Sequence, residues 1–229
     1  MIDIDLMFFD VDGTLVDSRK DIANAVNHML ESFGMAGKPD DIIASYIGFG
    51  VKDLVRKSFG VGSDEFARAI AAKRLSSDEA VDEGEKAFVE YYAAHPAVDS
   101  TLYPHVIDVL EHFKGKHKYV LTNRYKRFAD ATLRALGIIG YFEDIFGGDD
   151  ESCMKPSTCV VERIARDIKV MHKNAIIIGD MDVDIMTGKN SGMKTCWVSY
   201  GLGKIDSVAH LKPDYIIDDM VELKGIVQL

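Results

Sequence analysis

Short apolar runs that stop abruptly at polar residues recur along this chain. Leu6-Met7-Phe8-Phe9 ends at Asp10. Tyr119-Val120-Leu121, Ala175-Ile176-Ile177-Ile178, Thr195-Cys196-Trp197-Val198 and Tyr215-Ile216-Ile217 behave alike, and Asp144-Ile145-Phe146 is a weaker case. A continuous apolar run, as opposed to strict alternation, marks a strand covered on both faces, as in a parallel sheet. Between the runs, apolar residues recur at helical spacing: Val106, Val109, Leu110 and Phe113; Phe128, Leu133 and Leu136; Val160, Val161, Ile164 and Ile168. This strand–helix alternation from residue 100 onward predicts an α/β fold with a doubly wound parallel sheet.

Residues 17–97 follow a different pattern. Ile22, Val26, Met29, Leu30 and Phe33 trace one amphipathic helix ending near Gly34, and Leu54, Val55 and Phe59 trace another ending at Gly60. The Ala- and Glu-rich stretch from Asp64 to Ala94 predicts one or two more before Pro96. No strand signal interrupts them. The expected organisation is a core of residues 1–16 and 98–229 with an all-helical domain, 17–97, inserted after the first strand. No Pro/Gly/Ser linker or internal repeat is visible, so both joins are expected to be short.

Composition narrows the function. Of 229 residues, 27 are Lys or Arg and 37 are Asp or Glu, a net charge of −10. An acidic surface repels phosphate backbones, which argues against nucleic-acid partners. The longest stretch free of Asp, Glu, Lys and Arg runs from Ile42 to Val51, short of the roughly 18 residues a membrane span needs. Met1-Ile2-Asp3-Ile4-Asp5 has no basic, apolar leader pattern. Cys153, Cys159 and Cys196 show neither metal-ligand spacing nor an even framework. Buried thiols in a reducing cytoplasm are expected.

In open parallel sheets, ligands bind at the carboxyl ends of the strands. Asp10-Val11-Asp12-Gly13-Thr14-Leu15 follows the first strand and Thr122-Asn123 the second; Lys155-Pro156 lies beyond the weak strand, and Gly179-Asp180-Met181-Asp182-Val183-Asp184 follows the fourth. Several carboxylates at one point repel one another and call for a cation. Aspartate oxygens without His or Cys favour a hard ion, Mg²⁺ above all, which keeps waters and completes its shell with substrate phosphate. A lysine, a threonine hydroxyl and amides beside glycine supply further phosphate contacts. An Asp beside Mg²⁺ and phosphorus is a candidate nucleophile, and a second carboxyl two residues on is a candidate acid and base.

Each residue alone has an ordinary explanation. A single Asp after a strand is usually a turn or helix cap, Thr122-Asn123 a turn, Lys155 a solvated side chain and Asp182 a surface charge. A calcium loop needs further acidic positions and a closing Glu about twelve residues on, which the sequence from Asp10 lacks. The joint, ordered occurrence after successive strands is what favours a shared site.

Phe9-Asp10-Val11-Asp12-Gly13-Thr14-Leu15-Val16-Asp17-Ser18 resembles the first motif of the haloacid dehalogenase-like superfamily, and Leu121-Thr122-Asn123, Lys155-Pro156 and Gly179 to Asp184 resemble the second, third and fourth. The resemblance covers nearly the whole chain. It implies a Rossmann-like core and identifies the insertion with the cap of the phosphoglycolate phosphatase and beta-phosphoglucomutase subclass. Asp17 to Leu30, Ile47 to Val55, Tyr103-Pro104-His105-Val106 and Phe146-Gly147-Gly148-Asp149 are similar to phosphoglycolate phosphatase-like members. The roles it implies are as follows. Asp10 is nucleophile and Mg²⁺ ligand. Asp12 is general acid/base, with its backbone carbonyl a Mg²⁺ ligand. Thr122 and the Asn123 amide hold phosphate oxygens. Lys155 neutralises Asp10 and the phosphoryl group, Asp180 ligates Mg²⁺, Asp184 supports it, and Gly13 leaves room for the phosphate. Two departures stand out: Ser157-Thr158 follow Lys155-Pro156 where the family usually has x-Pro, and Arg124 stands where a Lys is more familiar. Arg124 is read as a solvated side chain, with contact to a substrate anion as the alternative.

The superfamily hosts several chemistries, so fold alone does not settle function. A carboxylate at Asp12 favours phosphate esters, and Arg19 to Asn27 lack the His of the mutases. The resemblance therefore implies hydrolysis of a small phosphorylated metabolite, phosphoglycolate first, by a monomer or homodimer. Gly48, Gly50 and Lys52, with Lys20 and Arg56, are the insertion's candidates for holding the substrate. Sugar phosphomutase, nucleotidase and pyrophosphatase are alternatives. A receiver-like signalling domain is the alternative from a different class; such domains are about half this length and lack the insertion.

Overall fold

A computed structural model describes residues 1–229. Six strands form one wholly parallel sheet: β1 (Leu6–Phe9), β4 (His117–Leu121), β5 (Asp144–Phe146), β6 (Ala175–Gly179), β7 (Lys194–Val198) and β8 (Tyr215–Ile217), in the order β5-β4-β1-β6-β7-β8. All six apolar runs are strands, and the weak one, β5, is a three-residue edge strand. A second, two-stranded antiparallel sheet pairs β2 (Val16–Asp17) with β3 (Thr101–Leu102). Two-residue strands carry no readable period, so the sequence did not announce them. Together they bring the two ends of the insertion side by side.

The period-two pleat sorts the core. Met7 and Phe9 of β1 face one cluster with Val120, Ile176, Ile178 and Val198, while Leu6 and Phe8 face the other with Tyr119, Leu121 and Ile177. Helices in chain order are α1 (Arg19–Ser32), α2 (Asp40–Ala44), α3 (Val51–Phe59), α4 (Asp64–Lys73), α5 (Ser77–Ala94), α6 (Val106–His112), α7 (Lys126–Ala135), α8 (Cys159–Asp167), α9 (Asp182–Ser191), α10 (Ile205–Val208) and α11 (Leu223–Ile226). Val109 and Leu110 of α6, Leu133 of α7 and Leu223 of α11 cover the first face; Val160, Val161 and Ile164 of α8 cover the second. Each such side chain stabilises the fold by about 1.5–3 kcal/mol. The sheet therefore has helices on both faces, and every loop leaving a strand's carboxyl end emerges on one edge.

The chain divides into two compact units, Met1–Asp17 with Thr101–Leu229, and Ser18–Ser100. In the second, α1 to α5 pack on one another. Asp21 ties its two ends together by accepting from Asp99 N (3.0 Å) and Ser100 N (2.9 Å). The Ala/Glu-rich stretch forms two helices, broken at Arg74 in a left-handed conformation (φ 58°), and α5 opens with a reciprocal Ser76–Glu79 capping box. Phe33, Phe59 and Phe66 form the aromatic centre of this unit, with Phe59 4.7 Å from Phe33 and 5.4 Å from Phe66. Gly84 of α5 lies against it: a Cβ there would meet the Phe59 ring at 2.5 Å. In an open helix Gly→Ala gains about 1 kcal/mol, but overpacking against a buried ring costs about 1–3 kcal/mol. Gly84→Ala is therefore expected to lower the urea midpoint, and Phe59→Leu in the same chain to recover part of the loss.

The cysteine expectation is corrected. A turn at Glu151–Cys153 and the start of α8 bring Cys153 and Cys159 to a Cα separation of 5.6 Å, within disulfide range, and the two are bonded; only Cys196 is a buried thiol. No helix is long and apolar enough to cross a membrane.

Candidate active site

The strand order places β1 between β4 and β6, so the chain winds outward from β1 in both directions and leaves a crevice at its carboxyl end. Asp10 is the first residue beyond β1, Thr122 beyond β4 and Asp180 beyond β6. Asp10, Asp180 and Asp184 meet there. All three are buried, and one oxygen from each lies within 4.8 Å of the others. Asp184 reaches this point because α9 begins at Asp182 and its first turn points back toward β6. Gly179 makes the approach possible, since a Cβ there would sit 2.2 Å from the Asp184 carboxyl carbon.

Lys155 is the hub of the charges. Its Nζ lies 2.8 Å from Asp10 Oδ1 and 2.6 Å from Asp184 Oδ1, and its side chain is 2% exposed. Asn123 fixes it in place: Asn123 Nδ2 donates to Lys155 O (3.1 Å) and Lys155 N donates to Asn123 Oδ1 (2.7 Å). The Asn123 side chain thus positions the lysine, a task that sequence reading did not assign to it. Burial pulls Lys155 down, but the Asp10 and Asp184 carboxylates outweigh it and hold the ammonium above the ordinary lysine value.

Asp180 is braced on every side. Its Oδ1 accepts from Thr14 Oγ1 (3.2 Å), and its Oδ2 accepts from Leu202 N (2.7 Å) and Gly203 N (3.2 Å). Gly13, at φ +87°, leaves the space that Asp180 fills, because a Cβ there would lie 2.2 Å from Asp180 Oδ2. Gly201 and Gly203 also press on Asp180, Trp197 Nε1 donates to its carbonyl (2.6 Å), and Tyr200 Oη donates to Thr14 O (2.9 Å). The sequence reading missed this loop. Its one signal is Gly201-Leu202-Gly203 just beyond the carboxyl end of β7.

Arg124 is corrected from solvated to buried. It is 8% exposed, and its Nη1 donates to Asp12 Oδ1 at 2.8 Å. The expectation failed because Arg124 lies in the loop leaving β4, on the edge where Asp12 leaves β1, and not on an outer helix face. The Asp12 carboxyl turns to this guanidinium and does not join the three clustered carboxylates. Thr122 Oγ1 accepts from Arg124 N (3.2 Å). In the helical unit, Gly48 (φ 120°) and Gly50 (φ 90°) flank Phe49 before α3, with Gly50 at its N-terminus. Lys20, Lys52 and Arg56 pair with Asp40, Asp82 and Asp78 at 3.0, 3.0 and 3.2 Å.

Three clustered carboxylates, Asp10, Asp180 and Asp184, thus face one buried cation, Lys155, while buried Arg124 pairs with Asp12. Fully ionised, they leave an excess of two negative charges, which suits a divalent cation. The donor set is all oxygen, and Asp10 Oδ1 receives no well-directed hydrogen bond despite its closeness to Lys155. Both features fit a hard ion. Burial, then repulsion from Asp10 and Asp184, raises Asp180 well above an ordinary aspartate; burial pushes Asp184 up to about 6, Lys155 opposing. A folded-state value above the unfolded one adds stability at low pH that is lost as pH rises through it. In EDTA, the urea midpoint is therefore expected to carry a falling contribution from pH 4 to 7. Asp180→Asn should flatten that fall, and Mg²⁺ should reverse it in the parent chain alone.

The chain is similar to known proteins along most of its length. The sequence profile described as Haloacid dehalogenase-like hydrolase matches residues 7–198. A phosphoglycolate phosphatase from Psychrobacter arcticus is 32% identical over 224 residues, 97% of this chain and 95% of the relative. Another from Aquifex aeolicus is 32% identical over 223 residues, 95% of each. The crystal structure of a predicted phosphoglycolate phosphatase from Haemophilus somnus matches with a TM-score of 0.87 at 27% identity, covering 99% of each chain. With four motifs converging on one sheet edge and a profile spanning most of its length, the chain belongs to the haloacid dehalogenase-like hydrolases. Within that family it is an enzyme of the phosphoglycolate phosphatase-like kind, a phosphoric monoester hydrolase.

Proposed function

We propose that the chain hydrolyses a small, phosphoglycolate-like phosphomonoester in a Mg²⁺-dependent reaction through an aspartyl-phosphate on Asp10. The observation that carries this reading is the buried Asp10–Lys155–Asp184 bridge beside Asp180, a nucleophile, a cation and oxygen donors within one contact shell. Asp10, Asp180 and the Asp12 carbonyl would hold the ion, with Asp184 in support. When bound, the ion offsets the charge of the carboxylates and of the phosphoryl oxygens.

The chain's own residues then divide the work. Asp10 attacks phosphorus, forming a new P–O bond as the ester P–O bond breaks. Asp12 gives its proton to the leaving alkoxide. In the second half, Asp12 takes a proton from a water that attacks the aspartyl-phosphate, so that inorganic phosphate leaves and Asp10 is restored. Lys155 lowers the repulsion between Asp10 and the phosphoryl group, while the Thr122 hydroxyl and the Asn123 amide bind its oxygens. Gly48, Gly50 and Lys52 are the proposed contribution of the helical unit to substrate binding. Phosphate release from phosphoglycolate, hexose phosphates, nucleoside monophosphates and pyrophosphate, with and without Mg²⁺, tests the reading. Metal-dependent turnover highest on phosphoglycolate is expected. No release from any of them, with a long-lived phosphoprotein after acetyl phosphate treatment, would show a signalling protein instead.

A further inference from the structure

The two buried cations of the pocket serve different carboxylates. Lys155 bridges Asp10 and Asp184, whereas Arg124 binds Asp12. Their side chains are 2% and 6% exposed, so neither is a wandering surface charge. Arg124 rises from an anchored backbone. Its N–H donates to Thr122 Oγ1 (3.2 Å) and its carbonyl accepts from Gly148 N (2.8 Å). Gly147 and Gly148 press against the same turn, where added Cβ atoms would lie 2.7 Å from Arg124 O and 2.2 Å from Asn123 O. Asp149 closes the clamp by accepting from Lys126 N at 2.7 Å.

Asp12 meets this anchored group, its Oδ1 accepting from Arg124 Nη1 at 2.8 Å. The Asp12 carboxyl turns on two rotatable bonds, so its place depends on what it binds. A carboxyl that must serve both the leaving oxygen and the later water needs one fixed place, and a misplacement of about 1 Å can cost about 10²-fold in rate. The guanidinium supplies a planar, pre-organised donor that a lysine ammonium on a flexible stem does not.

We propose that Arg124 is a positioning residue, holding the Asp12 carboxyl in the place from which it moves protons in both halves of the reaction. The inference rests on the reading of Asp12 as the acid and base. It assigns Phe146-Gly147-Gly148-Asp149 a purpose as well, since that loop clamps the backbone from which Arg124 projects.

The test uses the full chain with Mg²⁺ and two substrates, phosphoglycolate and p-nitrophenyl phosphate. The aryl ester leaves without a proton, so a misplaced Asp12 slows mainly the second half. Arg124→Ala is expected to lower kcat by about 10–100-fold, the range seen for partners that orient an active group, with KM changed far less. It should also show a burst of p-nitrophenolate as phosphoenzyme accumulates. Arg124→Lys should fall between, and added guanidinium should restore part of the Arg124→Ala rate. In an Asp12→Asn background, Arg124→Ala should change kcat little further, and thermal melts of each variant identify any that does not fold. A raised KM at unchanged kcat would overturn the proposal, because the guanidinium would then bind substrate. Fully additive losses in the double variant would overturn it too. Inactivity of the parent chain on both esters defeats the phosphatase reading, and is seen before any Arg124 variant is compared.

Discussion

Asp10→Asn is expected to remove Mg²⁺-dependent phosphate release altogether, by four or more orders of magnitude in kcat. Loss of a covalent nucleophile typically costs about 10⁶-fold, and nothing in the pocket is placed to replace it. Asp184 is tied at both oxygens, by Lys155 Nζ and by Met181 N (3.0 Å), and Asp180 is held by Thr14, Leu202 and Gly203. The substitution is nearly isosteric and removes one charge from an over-charged cluster. The melting temperature should therefore hold or rise in EDTA while activity disappears. That split separates a nucleophile from a structural carboxylate, whose loss would lower both together. Mass spectrometry after acid quench completes the measurement: a phosphate adduct on the parent chain and none on the variant. Retention of even a few per cent of parental kcat by Asp10→Asn would place the nucleophile elsewhere.

Much of this was legible in advance for a physical reason. A strand covered on both faces must be apolar throughout, and it must stop where the chain meets the ligand edge, so Phe9-Asp10 and Gly179-Asp180 mark both fold and site. The weak run at Asp144 is weak because an edge strand is covered less. What the sequence hid depends on contacts between distant segments. No periodicity forecasts that Asn123 braces Lys155, or that Gly201 and Gly203 press on Asp180. Arg124 was misread because an arginine among polar neighbours looks the same whether it faces solvent or a buried carboxylate. The cysteines were misjudged for a different reason: the turn and helix start that bring Cys153 to Cys159 are local, and an odd count of three masked the pair. Gly13 was read as leaving room for the phosphate, and a Cβ there would meet a side chain. Its neighbour in the fold is the Asp180 side chain, on a residue that no local reading could place there.

Lys155→Met should produce the largest loss of stability of any single change in the pocket. The ammonium is buried between Asp10 and Asp184, and removing one partner of a buried pair costs about 3–5 kcal/mol because the remaining charge is left uncompensated. For a chain of this size, about 2–4 °C per kcal/mol translates that into a fall of roughly 6–20 °C in Tm. The loss should be smaller at low pH. Asp184 already lies near 6 with the lysine in place, so without it protonation becomes easier still and acid relieves the unpaired charge. Lys155→Met with Asp184→Asn should recover much of the Tm, since the carboxylate that lost its partner is gone. Activity should not return with it, because the charge that Lys155 sets against Asp10 and the incoming phosphoryl group is still missing. Calorimetry at pH 5 and pH 8 on the two variants, beside phosphate release, resolves the two roles. A Tm within 2 °C of the parent for Lys155→Met would mean that the carboxylates find other compensation, and the lysine would then be wholly a catalytic group. Recovery of turnover along with Tm in the double variant would mean the reverse, that Lys155 supports the fold and the phosphoryl group is neutralised by the metal and the amides alone.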